Sequence, residues 1–118
     1  MTTQQTGPHG GERVGTRPRT QVEEAFRALE AVAAAPSGRA QLSRGALTGY
    51  LWALGRGDVA PVTGAAGQGA PDLSALTAEA DAATVQLEDA TRRTIPRDYI
   101  QGVHAALAWV CGHSDERP

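Results

Sequence analysis

Lysine is missing from this chain: all 11 basic residues are arginine, the habit of a GC-rich coding sequence rather than a clue to mechanism. Against 13 acidic residues they leave a formal net charge of −2. A chain with no basic excess lacks the electrostatic footprint of a general nucleic-acid or anionic-membrane binder. Cysteine is nearly absent as well. Cys111 alone excludes an internal disulfide and fits a reducing compartment. Aromatic residues amount to one Phe, two Trp and two Tyr. Much of the 41% hydrophobic content is alanine, so apolar burial accumulates slowly, and a small core of this kind needs good packing or a partner. No apolar run approaches the length of a membrane span, and the first residues carry no signal-like apolar segment, which points to a cytoplasmic protein.

Chemistry-bearing motifs are equally scarce. There is no Gly-x-Ser-x-Gly turn, no His-Glu-x-x-His helix and no glycine loop followed by Gly-Lys-Ser/Thr. The paired carboxylates Glu23-Glu24 and Glu88-Asp89 have arginine neighbours and read as solvated helix faces. His104, Cys111 and His113 share one segment. Seven residues of helix separate His104 from Cys111 by about 10 Å, too far to ligate one ion. The expectation is therefore no catalytic residues, no metal and no cofactor.

What is present is helical periodicity. Residues 1–19 hold four glycines, two prolines and little to bury, so they read as a disordered, mildly basic tail. Thr20-Gln21-Val22-Glu23 fits a capping box, and Val22, Ala25, Phe26, Leu29 and Ala33 predict a helix over 21–34 ended by Pro36 and Gly38. A second helix spans 39–55, with Leu47, Tyr50, Leu51 and Leu54 as its stripe. The Gly/Pro-rich stretch 56–71 reads as a linker or hinge. Leu73, Leu76, Ala80, Ala83, Leu87 and Ala90 alternate spacings of three and four, predicting a helix over 73–93 capped by Asp72, with Glu88–Arg92 and Asp89–Arg93 pairs at its end. After Pro96 a fourth helix covers 97–111, with Gly112 as its terminator. Residues 114–118 read as a frayed end. The fold expected is all-α: a small four-helix antiparallel bundle made of two helical hairpins within 20–113.

The richest stretch is Gly45-Ala46-Leu47-Thr48-Gly49-Tyr50-Leu51-Trp52-Ala53-Leu54-Gly55. Gly102–Gly112 echoes it without a gap at an offset of 57, sharing both terminal glycines and the tryptophan. Trp52 and Trp109 fall off the main stripes of their helices. They read either as core residues pairing across helices two and four or as anchors at a protein interface, where tryptophan is over-represented. The interface candidates are Trp52, Tyr50, Gly49, Gly45, Trp109, Gly102 and Ala105, the small ones letting another helix approach closely. Leu42-Ser43-Arg44-Gly45-Ala46-Leu47-Thr48-Gly49-Tyr50-Leu51-Trp52-Ala53-Leu54-Gly55 also resembles the recognition helix of helix-turn-helix regulators. That resemblance implies Ser43, Arg44 and Thr48 facing a DNA groove, with Leu47 and Leu51 in the core. Gly45, Gly49 and Trp52 depart from it where polar contacts are expected. The leading expectation is a non-enzymatic protein–protein interaction or adaptor protein, with a homodimer as one form. The DNA-binding regulator stands as the alternative.

Overall fold

The computed structural model describes residues 13–33, 40–65, 69–93 and 95–118. It is a four-helix bundle preceded by a short ribbon. Strands β1 (Arg13–Val14) and β2 (Arg17–Pro18) pair antiparallel. They lead into α1 (Arg19–Ala33), α2 (Ala40–Ala53), α3 (Leu73–Glu88), a single 3-10 turn (Ala90–Arg92) and α4 (Arg97–Val110).

Helix positions follow the local chemistry. Asp72 caps α3, its carboxylate accepting from the Ala75 N–H at 2.8 Å. α3 ends earlier than its periodicity predicts because Asp89 leaves helical geometry and caps the 3-10 turn instead, accepting from the Thr91 N–H and hydroxyl. Arg93 turns back to the Gln86 and Leu87 carbonyls rather than pairing with Asp89. The expected capping box at Thr20 gives way to a helix that already begins at Arg19, while Glu23 binds Arg19 at 3.0 Å and Arg27 and Arg56 at 3.4 Å. α2 and α4 terminate identically. Gly55 and Gly112 adopt positive φ (83° and 80°). The N–H groups of Arg56 and His113 reach back to Leu51 and Ala108, those of Gly55 and Gly112 to Trp52 and Trp109.

Two antiparallel hairpins make up the bundle. Arg19 at the start of α1 donates to the Leu54 carbonyl just past α2, and Thr77 early in α3 meets Cys111 at the end of α4. The inner helices, α2 and α4, run in the same direction and supply the most intimate contact. A Cβ on Gly45 would overlap the Tyr99 carbonyl, and one on Gly102 would overlap the Leu42 carbonyl. Those pairs are equivalent at the offset of 57, so the crossing has an approximate two-fold symmetry. α1 and α3 flank it and bury the same i, i+3, i+4, i+7 pattern. Val22, Ala25, half-buried Phe26 and Leu29 do so in one, Leu76, Glu79, Ala80 and Ala83 in the other. The seam expected on α3 is therefore shorter than its periodicity: Leu73 is 45% exposed and Ala90 lies on the surface.

Three segments expected to be loose behave otherwise where they are described. Residues 13–19 form the ribbon and the first helical residue, with Val14 buried; residues 1–12 lie outside the described part. The 56–71 linker buries Ala60 and Val62 and is fastened by Glu79, which accepts from the Val62 N–H, the Thr63 N–H (2.9 Å) and the Thr63 hydroxyl (2.9 Å). Three donors satisfy a carboxylate that would otherwise be too costly to bury. At the other end, Ser114 and Pro118 of the expected frayed tail are half-buried.

Candidate functional site

The inner helix pair places most of the sequence-predicted interface residues inside the molecule. Gly45, Gly49, Tyr50, Gly102 and Trp109 are all buried between α2 and α4. The small residues do permit close approach of another helix, but that helix belongs to the same chain. Tyr50 and Trp109 meet edge to face with centroids 6.1 Å apart, a favourable arrangement of their quadrupoles. The tryptophans do not pair with each other. Trp109 takes Tyr50 on one side and Arg17, whose guanidinium lies 4.5 Å from the ring centroid, on another. Trp52 and Ala105 remain half-exposed.

Sequence reasoning missed the ribbon that closes over α4. Thr16 donates to the Val110 carbonyl through its N–H (3.0 Å) and its hydroxyl (3.1 Å). Arg17 donates to the Trp109 carbonyl at 2.8 Å and to the Ser114 carbonyl at 3.0 Å. Carbonyls at a helix end lack intrahelical donors and carry the negative end of the dipole, so an arginine fits there. The available signal was Val14, one apolar residue flanked by Arg13 and a Gly-Thr turn, which is too little to read as strand.

The hydroxyl of Tyr50 is buried and is the one buried side-chain polar atom without a partner among the described residues. Burial raises its pKa, and the positive charges of Arg117 and Arg17 offset only part of that. Cys111 is likewise buried with a raised pKa, desolvation outweighing the Thr77 hydrogen bond. Among the described residues no group of three metal-ligating side chains occurs.

Of the DNA-contact candidates, Arg44 is exposed and Ser43 half-buried. Thr48 is engaged within the fold, donating to the Arg44 carbonyl (2.9 Å) and accepting from the Tyr99 hydroxyl (2.8 Å). The turn of the motif, residues 34–39, lies outside the described part. Two hollows flank Ala105: one of about 310 Å³ bounded by His104, Ala108 and Ser114, the other of about 380 Å³ between α1, α2 and α4. Arg117 and Pro118 border both. Among the described residues no helix is long and apolar enough to cross a membrane.

Comparison with known proteins gives no relative: no protein-family model, curated protein or solved structure matches this chain.

Proposed function

We propose that this protein is a small non-enzymatic helical interaction module that docks a protein partner, a second copy of the chain first among them, through the outer edge of α2 at Trp52. The makeup of that edge supports the reading. Leu47, Leu51 and Trp52 are all half-exposed, and no charged residue occurs from Gly45 to Gly55. A partly exposed tryptophan among aliphatic neighbours is the type of side chain that dominates binding energy when a partner desolvates it.

Size-exclusion chromatography with light scattering over a range of concentrations tests the proposal. The expected result is a dimer for the unaltered chain and a folded monomer for Trp52→Ala, with a thermal midpoint that no longer depends on concentration. Trp109→Ala should instead lower the midpoint, because that ring packs against Tyr50 and Arg17. A monomer at every concentration would sink self-association. A shift on adding mixed-sequence DNA at low salt, abolished by salt and weakened by Arg44→Ala, would favour the regulator reading instead.

A further inference from the structure

The approximate two-fold relating α2 to α4 gives each residue of the crossing a twin 57 positions away. The hollow of about 380 Å³ is lined by Leu42, Ser43 and Ala46 of α2 and by Gln101 and Ala105 of α4, with Leu29 of α1 across from them. The twins of Leu42, Ser43, Ala46 and Ala105 are Tyr99, Ile100, Val103 and Thr48. On that twin side Ile100 and Val103 are fully buried, and Tyr99 reaches across to the Thr48 hydroxyl at 2.8 Å. Larger side chains stand at those positions. On the α1 side serine stands for isoleucine, and alanine stands for valine and for threonine, so among the described residues the same crossing is left open. Underfilled space beside a core is destabilising, and this one is lopsided in a framework that shows how it could have been filled.

We infer that this hollow binds a small amphipathic anion, with its apolar body along Leu29, Leu42, Ala46 and Ala105 and its acid group against Arg117. Arg117 is the single charged side chain on the lining, and it makes no ion pair among the described residues. Ser43 and Gln101 add neutral hydrogen-bonding capacity at the edge. A concave, mostly apolar site with a few polar groups and a volume of some hundreds of Å³ is the usual form of a small-molecule pocket. This inference does not rest on the Trp52 docking edge, and either can fail without the other.

Decanoate and its uncharged analogue decanol are the probes, titrated into the full chain while amide and methyl chemical shifts are followed. The expected result is shifts centred on Leu29, Leu42, Ala46, Ala105 and Arg117, with decanoate held about fivefold more tightly than decanol, the size of one partly exposed charge pair. Arg117→Gln should remove that preference, bringing the affinity for decanoate down to that for decanol. The double variant Ser43→Ile/Ala46→Val, which installs the twin residues, should lose both ligands. Ala105→Thr, a smaller change, should weaken both and covers the case in which the double variant does not fold. The inference is overturned by shifts that are absent or lie elsewhere, by decanol binding as tightly as decanoate, or by a folded, filled variant that binds as before.

Discussion

Tyr50 shows how much a single atom can matter in a core this small. Its ring is fully buried and packs edge-on against Trp109, but its hydroxyl has no partner. Desolvating a hydroxyl without a compensating hydrogen bond costs on the order of 1–3 kcal/mol. Tyr50→Phe keeps the ring and removes that penalty, so it should raise stability by about 1 kcal/mol in urea denaturation at neutral pH. The pH dependence has a definite sign. Burial raises the pKa of Tyr50 above 10.0 and that of Cys111 above 9.0, their ordinary values. In alkaline solution the unfolded chain therefore gives up protons that the folded chain keeps. Stability is unaffected below the ordinary values and falls as pH rises above them. Tyr50→Phe should flatten the upper part of that decline. A variant no more stable than the original, with the same alkaline slope, would mean that the hydroxyl is satisfied in solution.

At the scale of the element, the α2–α4 crossing rests on Gly45 and Gly102. Replacing a helical glycine by alanine ordinarily gains about 1 kcal/mol of helix propensity. Here each new methyl would meet a backbone carbonyl of the facing helix, which cannot rotate away. Gly45→Ala and Gly102→Ala should therefore each lower stability by about 2 kcal/mol or more despite the propensity gain. A methyl on Gly49 would lie 3.2 Å from the Ala106 methyl and no closer than 3.4 Å to the Val103 backbone, so Gly49→Ala should cost far less than the other two. Thermal denaturation of the three variants decides it: a uniform stabilisation would show that the helices are not in close contact. The same crossing marks how far the sequence could be read. Helix existence was legible, and so were the ends where Asp72, Pro96, Gly55 and Gly112 carry local stop and start chemistry, but not the start of α1 or the end of α3. A glycine inside a helix also announced close approach, but nothing in its spacing says whether the approaching helix is another chain's or this one's. That is why Gly45, Gly49 and Gly102 read as interface residues and proved to be interior. The echo at offset 57 carried more than its three identities suggested, since it extends to the C-terminal hydrogen bonding and to the reciprocal glycine contacts. Glu79 was unreadable for a different reason. Its partners Val62 and Thr63 come from the linker, and only the folded chain brings them to it.

Over the whole molecule, two similar hairpins sit side by side, and the ribbon ties the beginning of the first to the end of the second. Arg17 reaches the Trp109 and Ser114 carbonyls, 92 and 97 positions away, and stacks on the Trp109 ring. Closing so long a loop is entropically unfavourable, so the contact must offset that loss through bonds made at one place. A charge-assisted hydrogen bond to a helix-terminal carbonyl, a second one beyond the helix and a cation–π contact combine there. Arg17→Ala removes all three and leaves the end of α4 without one of its donors, which should lower stability by about 2–3 kcal/mol. Arg17→Lys keeps the charge and loses the planar fork that bonds two carbonyls at once, so it should fall between. Hydrogen exchange adds a readout specific to this arrangement. With Arg17→Ala the amides of Gly112 and His113 should lose protection first, while those of the α2–α4 crossing keep theirs until global unfolding. If instead the crossing loses protection in step with the end of α4, the ribbon supports the whole bundle rather than only closing it, and the two hairpins depend on it to stay together.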